Sequence, residues 1–191
     1  NDLNISKSKD ALKHQNQYPT IFISLKEMKN LTFDDQISSF GDVIKNVILQ
    51  NKELLESVYV DESDQLILQD FRFLRASLNQ LKYALKTISR CLYKHYHQKV
   101  IILIDEYDVP LARAYENGYY DEMVLLLRNL FGNALKSNDN LKFAVLTGCL
   151  RIAKESIFSG LNNFKVYSVT STEFDKTFGF TDNEVKEMLH Y

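Results

Sequence analysis

The run Val100-Ile101-Ile102-Leu103-Ile104 limits the possible folds more than any other stretch. It is apolar at every position and stops at two adjacent acids, Asp105 and Glu106. Successive side chains of a strand point to opposite faces, so an unbroken aliphatic run needs cover on both. It is far shorter than the roughly 20 residues of a membrane-spanning helix. The stretch therefore reads as an inner strand of a parallel sheet, with helices on both faces.

The rest of the chain supplies such a sheet. Pro19 to Leu25 (PTIFISL) is a β-rich run opened by proline, and Leu141 to Gly148 (LKFAVLTG) is another ending in Thr-Gly. Phe164 to Thr170 (FKVYSVT) reads as a third, more polar strand. Between them lie helical patterns. Thr32 with Asp35 opens one in which Ile37, Phe40, Ile44 and Val47 recur at helical spacing. Residues 58–72 read as a connection between helices. Leu78, Leu81, Leu85, Ile88 and Leu92 form an apolar stripe, with Lys82, Lys86, Arg90 and Lys94 off it. Gly118 supplies a turn before a helix over Asp121 to Lys136, and RIAKESIF (Arg151 to Phe158) is a short helix. Thr181 and Glu184 form a capping box for a last helix.

Strands alternating with helices predict an α/β domain of three layers, a mostly parallel sheet flanked by helices. Residues 1–17 read as a loop or frayed helix, 18–170 as the α/β core, and 171–191 as the start of a C-terminal helical part. The 191 residues are 45% hydrophobic and 25% charged, with a formal net charge of −2. That balance suits one globular domain and gives no basic footprint for nucleic acid or an anionic membrane. Cys91 and Cys149 have no partner at zinc spacing, and no secretion signal opens the sequence. Both features predict reduced thiols and a cytoplasmic setting. His95 and His97, two apart, fall on different sides of a helix, so a shared metal is not expected.

In an open parallel sheet ligands sit beyond the carboxyl ends of the strands, where Asp105 and Glu106 fall. One carboxylate there suits a hydrated Mg²⁺, and its neighbour can draw a proton from an attacking water. Strands also end in acids merely because the next residues meet water. Asp108 alone reads as a turn residue. Thr147 and Gly148 end a second strand, and a threonine hydroxyl there can donate to water or to a phosphate oxygen. Arg151 can bring a cation near, though a strand-end cap and a surface cation are the plainer readings of Thr147 and Arg151. Nothing matches G-x-x-x-x-G-K-[ST], and none of the six glycines precedes a lysine.

VIILIDEYDVPLARAYENGYYDEM, NLKFAVLTGCLRIAKESIFSGLNNF and FGFTDNEVKEML resemble the predicted AAA-type ATPase domain of bacterial proteins that often carry a C-terminal nuclease-like domain. YPTIFISLK resembles the strand after that family's P-loop helix, so the resemblance runs from about Tyr18 to the end. It implies a P-loop NTPase fold using ATP and Mg²⁺. Asp105 matches the Mg²⁺-holding acid of the Walker B strand and Glu106 the water-activating acid. Asp108 matches the third acid of the DEYD signature. Thr147 and Gly148 match the sensor strand, and Arg151 and Phe158 to Asn163 match later signatures. The family's Walker A strand and loop are expected before residue 1 and the nuclease-like domain after the last residue.

With that strand placed between the Walker B and sensor strands, the 191 residues alone are expected to be unstable, or to close the gap by unusual pairing. Three readings stay open. One is a Mg²⁺-dependent ATPase segment, inactive by itself, with ATP as ligand and scope for self-association. The second is a non-catalytic remnant or interaction module. The third is a metal-dependent nuclease using the DEYD acids, disfavoured by the lack of a nearby lysine and of a basic channel.

Overall fold

The computed structural model describes residues 4–136, 138–149, 164–168, 171–173 and 179–190. The chain forms two compact units, residues 1–161 and 162–191.

In the first unit three strands, β1 (Thr20–Ser24), β2 (Val100–Asp105) and β3 (Leu141–Leu146), form a parallel sheet in the order β1-β2-β3. The helices are α1 (Lys9–Leu12), α2 (Phe33–Gln50), α3 (Glu62–Arg72), α4 (Leu78–Lys82), α5 (Ala84–Tyr96), α6 (Val109–Asn117) and α7 (Tyr120–Phe131). A π-helical turn, Gly132–Lys136, extends α7. The chain is thus an α/β fold around a parallel sheet flanked by helices, as the alternating pattern predicts.

Register assigns the two faces of the sheet. Ile21 pairs with Ile102 and Ile102 with Ala144; Ile23 pairs with Ile104 and Ile104 with Leu146. Ile21, Ile23, Val100, Ile102 and Ile104 are buried on this face, with α2 packed against β1 and α5 against β2. The opposite face carries the rows Thr20-Ile101-Phe143 and Phe22-Leu103-Val145. It is drier than a solvated face but not sealed: Phe22 is 54% exposed, Phe143 48% and Val145 45%. Complete burial on both faces, expected from the aliphatic run, is met on one only.

The expected gap between the Walker B and sensor strands is not there. β2 and β3 hydrogen-bond to each other directly, with one irregularity at Val100/Ile101. Both run parallel and share a row of aliphatic side chains, so no intervening strand is needed for the ladder. Among the described residues the outer edges of β1 and of β3, and not a central seam, lack a partner strand. Of the two expected outcomes, the structure shows the gap closed by direct pairing of β2 with β3.

The leucine stripe is one face of two helices. Ser77 and Gln80 form a capping box at the start of α4, and the helix is interrupted at Tyr83 before α5 begins. Leu81, Leu85, Ile88 and Leu92 are buried as the spacing predicts, while Leu78 is exposed. Thr32 caps α2 by accepting the Asp35 amide. Residues 62–72, expected to connect helices, are themselves helical: α3 buries Leu68 and Phe71 against the core and holds Asp64 in an ion cluster with Arg90 and Lys94. The helix α6, with Pro110 in its first turn and Gly118 in a left-handed cap, is a further element.

In the second unit, residues 164–168 are irregular, not a strand; polar serines there bond locally, with the Ser168 amide donating to Ser171. Thr181 and Glu184 form the expected capping box of α8 (Asp182–Leu189). Arg151 to Asn163, covering the expected short helix, lie outside the described residues, as do residues 169 and 170.

Candidate functional site at the carboxyl edge of the sheet

The strands all run the same way, so β1, β2 and β3 end on one edge. Alternation along β2 buries Val100, Ile102 and Ile104 and sends Ile101, Leu103 and Asp105 to the half-open face. In the adjacent strand Leu146 is opposite Ile104, so Thr147 falls beside Asp105. The two side chains meet: Thr147 Oγ1 donates to Asp105 Oδ1 at 2.5 Å. This bond leaves the other carboxylate oxygen, Oδ2, outside the pair.

Backbone bonds lock this pair in place. The Thr147 amide donates to Ile104 O at 2.9 Å, and the Tyr107 amide donates to Thr147 O at 3.1 Å. On the other side, the Leu25 amide donates to Asp105 O at 2.9 Å. The ladder therefore continues past the formal ends of the strands, and Asp105 stands between two bonded neighbours.

Glu106 leaves the alternation. Its φ is +53°, in the left-handed region, where an L-residue carries strain of roughly 1–2 kcal/mol. The turn redirects the chain, with the Val109 amide donating to Glu106 O at 3.2 Å. Asp105 and Glu106 are adjacent in sequence yet held in different backbone states, one in the ladder and one in a strained turn. Glu106 is half-buried at the strand end.

Asp108 is placed differently from a solvated turn residue. It is 4% exposed, and its Oδ2 accepts the Cys149 amide at 3.1 Å. Gly148 lies against it: a Cβ on Gly148 would come within 2.6 Å of Asp108 Oδ1 and 2.9 Å of the Tyr107 ring. Burial, and after it the Asp108 charge, push the Tyr107 hydroxyl above its ordinary pKa.

The structure thus brings Asp105, Glu106, Asp108, Thr147 and Gly148 to one edge. Arg151 and Phe158 to Asn163 lie outside the described residues. One further residue joins them: Ser24 ends β1 opposite Asp105. Its Oγ is buried and has no hydrogen-bond partner among the described residues. A serine closing an apolar strand at the same edge as two other polar strand ends is the only trace it leaves in the sequence.

A hydrated Mg²⁺ held largely by phosphates needs one or two protein carboxylates. Asp105, oriented by Thr147 and carrying a second oxygen, suits that demand. Among the described residues no group of three His, Cys, Asp or Glu forms an all-protein metal cage, and phosphate-bound Mg²⁺ does not call for one. A shallow cleft lined by Phe33, Leu78, Lys82, Glu122, Leu125 and Leu126 includes none of these residues. Among the described residues no helix is long and apolar enough to cross a membrane.

The family model described as Predicted AAA-ATPase matches residues 1–158. The match starts before Tyr18 and ends before the FGFTDNEVKEML segment. An "Uncharacterized protein in vnfD 5'region" of Azotobacter chroococcum mcd 1 is 34% identical over 97 residues, covering 46% of this chain and 17% of the relative. The chain therefore corresponds to a small part of that relative's length. No solved structure matches. With the family model covering most of the chain, including all three strands and their polar ends, the chain belongs to the predicted AAA-ATPase family.

Proposed function

We propose that this chain is the Walker B and sensor portion of an ATP-hydrolysing domain. The observation that carries the reading is the Thr147–Asp105 hydrogen bond across adjacent strand ends, with Glu106 next in the chain. Asp105 holds the cation side of the site, and Thr147 fixes the rotamer of its carboxylate. Mg²⁺ bound with ATP would neutralise charge on the phosphates. Glu106 accepts the proton of the attacking water, a contribution of about 10²–10⁴-fold in rate. Its backbone stands in a left-handed turn, outside the ladder that holds Asp105.

The phosphate-binding loop is not encoded in these 191 residues. The family resemblance puts that loop's strand between the Walker B and sensor strands, where β2 and β3 pair directly in this structure. In the native full-length protein, Glu106→Gln should retain ATP binding while turnover falls by about 10²-fold or more. Single-turnover hydrolysis measured beside nucleotide affinity checks this, and unchanged turnover would remove Glu106 from the role.

A second reading, a non-catalytic interaction module, draws on the half-open face of Phe22, Phe143 and Val145. Thermal melting of the native full-length protein with and without Mg²⁺–ATP separates the two. A rise in Tm that depends on nucleotide concentration supports the ATPase reading and is not expected of the module.

A further inference from the structure

We propose that Asp108 is a positioning residue, whose carboxylate holds the Gly148–Cys149 backbone so that Thr147 meets Asp105. The proposal rests on the ATPase reading for its kinetic part; its structural part stands on the geometry alone.

Three observations converge on it. Asp108 is an acid at 4% exposure, and burying a charge is costly unless it is hydrogen-bonded. It accepts the Cys149 amide at 3.1 Å across 41 residues of sequence. It also stands immediately before α6 as its N-cap residue. Aspartate at that position ordinarily accepts an amide of the helix's own first turn, yet Asp108 makes no side-chain cap bond there. Its carboxylate is turned instead to the exit of β3.

The neighbouring glycine makes this possible. Gly148 approaches so closely that any Cβ would lie 2.6 Å from Asp108 Oδ1. Gly148 sits between Thr147, which bonds Asp105, and Cys149, which bonds Asp108. Two acids on the exit of β2 therefore grip two successive points on the exit of β3. Asp105 takes the side chain of Thr147 and Asp108 takes the backbone two residues on. Releasing the second grip leaves Thr147 held only by its ladder bonds and its bond to Asp105, and a displacement near 1 Å in a reacting constellation costs about 10²-fold in rate.

The test uses the native full-length protein with Asp108→Ala and Asp108→Asn. The asparagine keeps an acceptor oxygen for the Cys149 amide. Asp108→Ala should lower kcat for ATP by about tenfold or more with KM changed by less than about threefold, and Asp108→Asn should recover most of the loss. Hydrogen exchange at the Cys149 amide, and alkylation of the exposed Cys149 thiol, should both speed up in Asp108→Ala and stay near wild type in Asp108→Asn.

A residue that only supports folding would lower Tm in both variants while leaving kcat per folded molecule unchanged; that result overturns the proposal. Unchanged exchange at Cys149 in Asp108→Ala overturns it too, whatever the kinetics. If the wild-type protein turns over no ATP, the ATPase reading fails. The kinetic half of the proposal fails with it, and the exchange data decide the clamp separately.

Discussion

Gly148 is glycine for lack of room, and Gly118 for its dihedral. At Gly148 no positive φ is involved; the obstacle is the Asp108 carboxylate and the Tyr107 ring, both within 3 Å of any Cβ. At Gly118 nothing crowds the Cβ, but φ is +80°. Gly148→Ala should therefore destabilise the chain by about 1–3 kcal/mol by overpacking, and should speed exchange at Cys149. Gly118→Ala should cost about 1 kcal/mol and leave Cys149 untouched. Urea midpoints with exchange at that one amide tell the two apart. At this scale the sequence reveals the candidates but not their states. Asp105, Glu106 and Thr147 are visible as polar ends of apolar strands. The left-handed turn at Glu106 is hidden because no glycine marks it, and the burial of Asp108 is hidden because its partner is 41 residues away.

The element that was hardest to read, α3, owes its obscurity to the group that anchors it. Asp64 interrupts its apolar pattern, yet is buried, accepting from Arg90 Nε at 3.1 Å, Arg90 Nη2 at 2.6 Å and Lys94 Nζ at 3.0 Å. Burial raises the Asp64 pKa, but the hydrogen bonds and charges of Arg90 and Lys94 outweigh it and hold the carboxyl below the ordinary carboxylate range. A native pKa below the unfolded value means the stabilisation is complete above the unfolded value, about 4, and is lost as pH falls through the native one. Asp64→Asn should cost about 2–3 kcal/mol at pH 7, where it leaves Arg90 and Lys94 underpaired. The gap between wild type and variant should narrow as unfolding is measured from pH 5 down to pH 2. Beside this cluster, burial pushes the Cys91 thiol up to about 12, which keeps it protonated and unreactive. The helices α2 and α5 were legible because capping residues and a regular apolar stripe agree. The helix α6 was hidden by Pro110 and Gly118, which punctuate a sequence as strongly inside a short helix as in a loop.

For the molecule as a whole, the alternation of strands with helices was enough to reach an α/β fold with a parallel sheet. Strand order was not legible, because order depends on which edges pair and the strands carry no mark of their neighbours. β2 and β3 pair directly, and the candidate site is complete only as far as those two ends reach. The pairing also sets a timetable. In the β1–β2 ladder Thr20 meets Ile101, whereas in the β2–β3 ladder Ile101 meets Phe143, about half as far along the chain. Loop closure costs about 0.6 kcal/mol more for each doubling of length, and non-local pairing is slow to form. Loop closure thus favours the β2–β3 ladder, which predicts that it forms first and that β1 docks later. Ala144→Gly in β3 should slow refolding, while Ile21→Val in β1 should mainly speed unfolding, as stopped-flow chevrons will show. A chain that folds in this order has Asp105 beside Thr147 before the sheet is finished, so its acidic edge is among the first parts of the protein to exist.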